Sequence, residues 1–180
     1  MMHRIFLIGY MGAGKTTIGK ALARALNISF VDLDLYIEQR YHKSVSALFA
    51  EKGEQEFRNI ERMMLHEVAA FENVIISTGG GTPVFFDNMD FMKLHGCTIY
   101  LQAAVDVLTE RLYKNSDKRP LLAGKSKSEI HDFIQQTLSA REQYYLQSRL
   151  TVKIEHSQEK AHTTFEKIMD SYNKNEVNVS

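Results

Sequence analysis

The chain has 180 residues, the size of one globular domain, and its 44% hydrophobic and 24% charged residues with only 2 prolines exclude a disordered or low-complexity chain. The 22 basic residues balance 22 acidic ones, which argues against a general nucleic-acid-binding protein. A single cysteine excludes an internal disulfide, and no segment approaches the roughly 18 apolar residues of a membrane span. We therefore expect a soluble, cytoplasmic monomer with no nucleic-acid or membrane partner.

Short β-rich segments alternate with longer amphipathic segments, a pattern typical of parallel strands joined by helices. The predicted strands are residues 4–8, 29–32, 73–78, 97–101 and 150–154. The predicted helices are residues 15–26, 34–42, 45–51, 54–71, 87–94, 104–113, 127–147 and 158–172. We expect one α/β domain over residues 1–172, a mobile basic segment over about 113–127, and a frayed tail over 173–180.

A glycine-rich segment joins the first predicted strand to the first predicted helix. Its sequence, Gly9-Tyr10-Met11-Gly12-Ala13-Gly14-Lys15-Thr16, fits the G-x-x-x-x-G-K-[ST] phosphate-binding loop. In such a loop, backbone N–H groups and the helix N-terminus surround phosphate oxygens, Lys15 adds a positive charge, and Thr16 offers its hydroxyl to Mg²⁺. A plain glycine-rich turn, the alternative, leaves the Lys-Thr pair unexplained. The motif predicts a nucleoside triphosphate site but not its use.

Two carboxylates, Asp32 and Asp34, lie at the end of the second predicted strand. Ligands bind at this edge of open parallel sheets, and a spacing of two residues puts both side chains on one side of an extended backbone. We expect Asp32 to help hold Mg²⁺, and Asp34 to act as a general base or to orient an acceptor hydroxyl. The alternative for Asp34 is that it only caps the next helix.

Three consecutive glycines, Gly79, Gly80 and Gly81, follow the third predicted strand. Because glycine has no Cβ atom, the backbone here can approach a ligand closely. A tight turn without a ligand is the alternative.

Two arginines lie on helical faces that are otherwise apolar. Arg141 shares the buried face of the helix predicted over 127–147, and Arg58 lies at the edge of an apolar stripe, three residues before Glu61. Because an unpaired buried charge is costly, each arginine needs an anionic partner. We expect Glu61 to hold Arg58 for an anionic substrate, with a ligand carboxylate as the partner of Arg141. A purely structural ion pair between Arg58 and Glu61 is the alternative.

Arg119 lies in the basic segment and is followed by Pro120, Leu121 and Leu122. If this segment closes over the phosphates, the arginine stabilises charge on the transferring phosphoryl group. The alternative is a solvated basic loop.

Together these segments resemble the shikimate kinases, small P-loop kinases related in fold to the nucleoside monophosphate kinases, over about residues 4–155. The matching segments are Gly9 to Thr17, Asp32-Leu33-Asp34, Phe57-Arg58 with Glu61, Gly79-Gly80-Gly81, Arg119-Pro120-Leu121-Leu122, and Arg141 with Tyr144. The resemblance implies a three-layer α/β/α P-loop kinase fold: a five-stranded parallel sheet of order 2-3-1-4-5, a helical substrate-binding region at about 33–61, and a lid at about 113–127. It also implies Mg-ATP-dependent phosphorylation of the 3-hydroxyl of shikimate, giving shikimate 3-phosphate and ADP, in the pathway to chorismate and aromatic amino acids.

The resemblance further implies site residues. The expected catalytic residues are Lys15, Asp34 and Arg119, and the expected Mg²⁺ ligands are Thr16 and Asp32. The expected ATP contacts are Gly12, Ala13, Gly14, Lys15, Thr16, Thr17, Arg111, Arg119 and Gln158. The expected shikimate contacts are Asp34, Arg58, Gly79, Gly80, Gly81 and Arg141, with Glu61 behind Arg58. The turn at 154–158 lacks the usual adenine-binding Asp and small hydroxyl pair, and Arg111 is expected to stack on adenine.

Two alternative functions share parts of this pattern. A gluconate kinase or a nucleoside monophosphate kinase has the same loop and lid but a different acceptor. A GTP-dependent switch usually needs an Asn-Lys-x-Asp motif after a strand, and the nearest string here, Asn173-Lys174-Asn175-Glu176, lies in the tail and ends in Glu.

Overall fold

The computed structural model describes residues 4–116, 119, 121–156 and 161–177, and the side chains of residues 161, 162 and 173–177 lie outside that description. Five strands form one sheet. They are β1 (Arg4–Ile8), β2 (Ser29–Asp32), β3 (Val74–Ser77), β4 (Cys97–Ala103) and β5 (Leu150–Ile154). All neighbouring strands pair in parallel, in the order β2-β3-β1-β4-β5. The predicted sheet and its order are confirmed.

Seven helices and one 3₁₀ turn accompany the strands in the described residues. The helices are α1 (Lys15–Leu26), α2 (Leu33–Tyr41), α3 (Val45–Ala69), α4 (Asn88–His95), α5 (Val105–Tyr113), α6 (Lys127–Tyr145) and α7 (Ala161–Val177). The 3₁₀ turn, Thr82–Val84, lies between β3 and α4 and was not predicted. Every residue of β3 is buried, as is β1 after its first residue. Such continuous apolar strands indicate a sheet covered on both faces.

The helix α3 corresponds to the two predicted helices, 45–51 and 54–71, joined across a kink. It is interrupted only at Gly53, which has φ 77° and ψ 170°. Glycine adopts a positive φ without steric cost, so the chain bends here and continues as a helix from the next residue. The bend changes the direction of the segment that carries Arg58 and Glu61.

Several predicted ends were wrong by a few residues. The strand β4 continues to Ala103 because it pairs with β5 as far as Ile154. The helix α3 ends at Ala69 rather than at residue 71. The helix α7 runs to Val177 rather than to 172, so the segment predicted as a frayed tail begins as helix. In the part of the chain that the structure describes, no helix is long and apolar enough to cross a bilayer.

The register of the sheet brings three loops together. Leu7 of β1 and Asp32 of β2 each lie opposite Ser77 of β3. The three strands therefore end at the same edge of the sheet. The phosphate-binding loop, the start of α2 and the three glycines follow directly from these ends.

Candidate active site

The glycine-rich loop has the predicted position between β1 and α1. Gly14, the residue before α1, has φ 98°, a left-handed conformation that favours glycine. The ammonium of Lys15 donates to the carbonyl oxygens of Gly9, at 2.8 Å, and Tyr10, at 3.0 Å. Lys15 is thereby folded back over its own loop and only 9% exposed.

A cavity of about 330 Å³ opens beside this loop. Its lining includes all the predicted catalytic residues and both predicted metal ligands: Lys15, Asp34, Arg119, Thr16 and Asp32. Gly79 and Gly80 line the cavity too, and the end of β3 contributes Ser77 and Thr78. Segments far apart in the sequence thus share one cavity, as the strand-end argument predicted.

Thr16 and Asp32 present adjacent oxygen atoms in the cavity. The Thr16 hydroxyl donates to Oδ2 of Asp32 at 2.7 Å, and Oδ1 of Asp32 accepts from the backbone N–H of Leu35 at 3.4 Å. The cap of α2 is therefore Asp32, so the capping alternative considered for Asp34 was wrong. Hydroxyl and carboxylate oxygens are ligands that suit Mg²⁺, which also keeps waters and takes phosphate oxygens. Among the described residues no group of three or more His, Cys, Asp or Glu is placed to hold a metal, and the Thr16–Asp32 pair fits a Mg²⁺ that nucleotide phosphates help to bind.

Burial shifts the pKa values of two charged groups in the cavity in opposite senses. The pKa of Asp34 is raised to about 6, first by burial and then by the negative charges of Glu61 and Asp32. The pKa of Lys15 is lowered to about 8 by burial, although the charges of Asp34 and Asp32 oppose this. At neutral pH a carboxylate with raised basicity therefore lies near an ammonium, an arrangement suited to accepting a proton beside a phosphate.

The three glycines leave room for the side chains that face them. A Cβ atom at Gly79 would lie 2.9 Å from Oε1 of Glu61 and 3.0 Å from Oδ1 of Asp34. A Cβ atom at Gly81 would lie 2.7 Å from Nη1 of Arg58. The absence of side chains at 79–81 thus lets the predicted substrate-binding groups pack against the backbone, rather than serving only a tight turn.

Arg58 and Glu61 form the predicted pair, inside a larger network. Nη1 of Arg58 donates to Oε2 of Glu61 at 2.8 Å, and both side chains are buried. Thr82 donates its hydroxyl to Oε1 of Glu61 at 2.6 Å. Nη2 of Arg58 pairs with Glu54 at 3.3 Å. Both carboxylate oxygens of Glu61 are therefore engaged, which fixes one edge of the guanidinium.

Arg141 lies on α6, half-buried beside the second glycine. Its Nη1 would lie 3.7 Å from a Cβ atom at Gly80, and its Cζ lies 5.8 Å from the ring centroid of Tyr10. The hydroxyl of Tyr145 donates to the carbonyl of Gly80, and Tyr145 also hydrogen-bonds with Arg141. Burial raises the pKa of Tyr145 to about 12 despite the opposing charge of Arg141, so the hydroxyl keeps its proton. The helix α6 thus fixes both Arg141 and the glycine segment.

Two further arginines flank the nucleotide side. Arg119 lines the cavity, where burial lowers its pKa. Arg111 donates from Nη1 to the carbonyls of Gly12 and Ala13, each at 3.2 Å, and from Nη2 to the carbonyl of His156 at 3.2 Å. It therefore ties the phosphate-binding loop to the segment after β5. Gln158, the remaining expected nucleotide contact, lies outside the described residues.

Comparisons with known proteins identify the family. A family model described as shikimate kinase matches residues 11–173. A shikimate kinase from Parabacteroides distasonis is 55% identical over 154 residues, which are 86% of this chain and 89% of that protein. One from Bacteroides thetaiotaomicron is 58% identical over 148 residues, 82% of this chain and 85% of that protein. The chain belongs to the shikimate kinase family.

Solved structures agree with this shikimate kinase assignment. A shikimate kinase from Bacteroides thetaiotaomicron superposes with a TM-score of 0.92 at 49% identity, covering 96% of this chain and 99% of that one. One from Acinetobacter baumannii in complex with shikimate gives 0.87 at 31% identity, covering 97% and 95%. A gluconokinase from Sinorhizobium meliloti gives 0.62 at 16% identity and shares the fold alone. The predicted family, fold and function, ATP-dependent phosphorylation of shikimate, are therefore confirmed.

Sequence reasoning missed several residues of this shikimate kinase site. Glu54, Thr82 and Phe85 contact the Arg58–Glu61 pair, and Tyr145 contacts Gly80 and Arg141. Glu54 and Tyr145 carried a usable signal, because each stands four residues from its arginine and can reach it along a helix. Thr82 and Phe85 lie on a different element from Arg58, so their contacts depend on tertiary packing.

Proposed function

We propose that this enzyme uses the cavity beside Lys15 to bring the γ-phosphate of ATP and the 3-hydroxyl of shikimate together for direct transfer. The observation that carries the proposal is the arrangement around residues 79–81. Asp34, Arg141 and Arg58 face the three successive glycines, next to the phosphate-binding loop. One acidic group and two basic groups at a single backbone segment suit an acceptor that carries a hydroxyl at one end and a carboxylate at the other.

The nucleotide side of the proposed site consists of the glycine-rich loop, Arg111 and Arg119. Backbone N–H groups of residues 12–17 bind phosphate oxygens, and the ammonium of Lys15 leaves its carbonyl partners to contact the β- and γ-phosphates. Thr16 and Asp32 would hold Mg²⁺, which when bound neutralises charge on the β- and γ-phosphate oxygens. Arg111 supports the loop from behind through its two carbonyl contacts, and also lies close enough to the segment after β5 to border the adenine.

The acceptor side consists of Asp34 and the two arginines that face the glycines, Arg58 and Arg141. Arg58 and Arg141 bind the carboxylate of shikimate and so direct its ring. The acceptor hydroxyl oxygen attacks the γ-phosphorus, the bond from that phosphorus to the β,γ-bridging oxygen breaks, and ADP leaves. The hydroxyl proton passes to Asp34, whose raised pKa of about 6 makes it a better proton acceptor than an ordinary aspartate.

Arg119 contributes charge from the segment proposed as a lid, residues 113–127. It lines the same cavity as Lys15, close enough that its positive charge adds to burial in lowering the pKa of Lys15. Closure of this segment excludes water, which suppresses ATP hydrolysis in the absence of acceptor. We also propose that the enzyme works as a monomer, because all the groups used here come from one chain, and that it works in the cytoplasm, because its single cysteine suits a reducing compartment.

The test follows release of ADP from Mg-ATP with and without shikimate, with Lys15→Ala as the blank. We expect release to depend on shikimate, and neither gluconate nor a nucleoside monophosphate to replace it. Arg141→Ala is expected to raise the KM for shikimate at least tenfold while the KM for ATP stays within about twofold. Asp34→Asn is expected to lower kcat at least a hundredfold with little change in either KM. Unchanged affinity for shikimate in Arg141→Ala would contradict the assignment of the carboxylate.

A further inference from the structure

The guanidinium of Arg58 is held at its edges and covered on one face. Its Nη1 and Nη2 atoms pair with Glu61 and Glu54. Its Cζ atom lies 4.1 Å from the ring centroid of Phe85. A cation within about 6 Å of an aromatic centroid is attracted by the negative face of the ring, and the attraction is stronger where water is excluded. Edge contacts fix the position of a planar group, but the face contact fixes its tilt.

The burial of Arg58 makes this face contact effective. The side chain is 9% exposed, and its Nε is buried without a hydrogen-bond partner among the described residues. Two other rings, Phe49 and Phe57, lie farther from Cζ, at 5.3 Å and 5.5 Å. The backbone of Gly81 packs so closely against the guanidinium that no Cβ atom fits between them. The ring of Phe85 is therefore the nearest aromatic contact of a desolvated, closely confined cation.

A strained turn presents Phe85 to the arginine. The next residue, Phe86, has φ 54°, a left-handed conformation that is a genuine outlier for a bulky side chain. Such strain persists only where surrounding contacts hold it, and it concentrates at functional sites. Here the side-chain amide of Asn88 donates from Nδ2 to the carbonyl oxygen of Thr82 at 2.9 Å, which links the two ends of the turn. Asn88 is fully buried, so the turn is anchored in the core.

We propose that Phe85 is a positioning residue for the reaction: its ring sets the tilt of the Arg58 guanidinium, and the left-handed backbone of Phe86 turns that ring toward it. This inference rests on the proposed role of Arg58 in binding the carboxylate of shikimate. A guanidinium fork binds a carboxylate through two parallel hydrogen bonds only when the two planes are aligned. Loss of this tilt is therefore expected to weaken the binding of shikimate and to leave the binding of ATP unaffected.

The experiment compares aromatic and aliphatic side chains at position 85. The KM for shikimate, the KM for ATP and kcat are measured for the wild type, Phe85→Leu, Phe85→Met and Phe85→Tyr. We expect Leu and Met to raise the KM for shikimate about three- to thirtyfold, and Tyr, which keeps the aromatic face, to raise it about twofold or less. The KM for ATP is expected to stay within about twofold in all of them. Two aliphatic variants are included so that poor folding of one does not decide the outcome.

The matched control is Phe91→Leu. Phe91 lies on α4, shortly after the turn, and its ring stacks on His66 and His95 instead of on Arg58. The same change of residue there is expected to leave the KM for shikimate unaltered. A rise equal to that in Phe85→Leu would show that loss of aromatic packing in this region, rather than the contact with Arg58, is responsible, and would overturn the inference.

A double-mutant cycle with Arg58→Gln separates this inference from the proposed function. If Arg58 binds the carboxylate and Phe85 acts through it, Arg58→Gln raises the KM for shikimate and Phe85→Leu adds nothing further in that background. If Arg58→Gln raises the KM and the Phe85 variants do not, the proposed function stands and the role of Phe85 is wrong. If Arg58→Gln leaves the KM unchanged, the role of Arg58 and the inference that depends on it both fail.

Discussion

Glu54 and Arg58 form an ion pair of 3.3 Å in which Arg58 is 9% exposed and Glu54 is 62% exposed. Glu54 directly follows the bend at Gly53, so it stands at the beginning of the second segment of α3. An acidic residue is favoured there by the helix dipole. Because the carboxylate of shikimate is proposed to bind the same guanidinium, we expect Glu54 to compete with the substrate for Nη2.

Removing the charge of Glu54 is expected to strengthen acceptor binding. Glu54→Gln should lower the KM for shikimate about two- to fivefold, the size of an exposed ion pair, because the substrate no longer displaces a carboxylate. The KM for ATP should not change. Steady-state kinetics checks this, with Glu56→Gln as the control, since Glu56 is exposed on the same helix and accepts a hydrogen bond from Asn59 rather than from Arg58. A higher KM for shikimate in Glu54→Gln would mean that Glu54 orients Arg58 for the substrate instead of competing with it.

The hydroxyl of Thr82 is expected to stabilise both the fold and the acceptor site. It is fully buried and donates to Glu61 at 2.6 Å. Thr82→Val keeps the shape but leaves one oxygen of Glu61 without this donor, so the free energy of unfolding should fall by about 1 to 3 kcal/mol. The KM for shikimate should rise because Glu61 then holds Arg58 less firmly.

Thr82→Ser is the matched variant for this position, since it keeps the hydroxyl and loses only a methyl group. Urea denaturation and steady-state kinetics on both variants give the two measurements. Thr82→Ser is expected to retain the wild-type KM for shikimate, and Thr82→Val is expected to raise it. Equal KM values in the two variants would show that the hydroxyl has no part in holding Arg58.

The sequence predicted best what depends on local pattern. The strands follow from short apolar runs, and the phosphate-binding loop follows from one motif placed between a strand and a helix. The convergence of Asp32, Asp34 and the glycines follows from parallel strands ending at one edge. The Arg58–Glu61 pair follows from helical spacing. The strand order came from the resemblance to a family, because pairing between distant strands leaves no local signal.

What the sequence did not predict depends on packing between elements. Nothing near Phe85 in the chain indicates that its ring covers Arg58, since the contact requires the strained turn after β3 to fold against α3. The spacing of Asp32 and Asp34 did not show which one caps α2, because both precede helical residues. The sequence also contained no sign that the fork of Arg111 bonds to carbonyls of the phosphate-binding loop. In such loops the hydrogen-bond partner of a side chain is decided by tertiary contacts rather than by the local sequence.

The acid limb of the pH profile is expected to report Asp34. Its pKa is raised to about 6, and the acceptor proton requires the ionised form, so kcat/KM for shikimate at saturating Mg-ATP should fall as the pH drops below about 6. The charge of Glu61 contributes to the raised pKa of Asp34. In Glu61→Gln the limb should therefore move to lower pH, whereas a limb due to titration of ATP would not move. An unmoved limb would assign the titration to another group.

The same pKa shift has a consequence for stability. Asp34 has an ordinary pKa of 3.8 in the unfolded chain and a pKa of about 6 in the folded one, so the folded state binds its proton more tightly. Its contribution to stability is therefore greatest below about pH 4 and is lost as the pH rises through about 6. Asp34→Asn carries no charge and avoids this loss. At about pH 7.5 the variant should be more stable than the wild type by about 1 to 3 kcal/mol, although it lacks activity.

Denaturation with urea across about pH 5 to 8 checks this, because the advantage of Asp34→Asn should shrink as the pH falls through about 6. The control is Asp90→Asn, since the side chain of Asp90 is 69% exposed, lies outside the cavity and pairs with a lysine, Lys93, rather than with a histidine. It is expected to change the free energy of unfolding little at any of these pH values. A stabilisation of Asp34→Asn that does not depend on pH would come from packing or hydrogen bonding of the amide. The raised pKa assigned to Asp34 would then be wrong. An inactive but more stable variant with the expected pH dependence would show that this carboxylate is kept for catalysis at a cost to the fold.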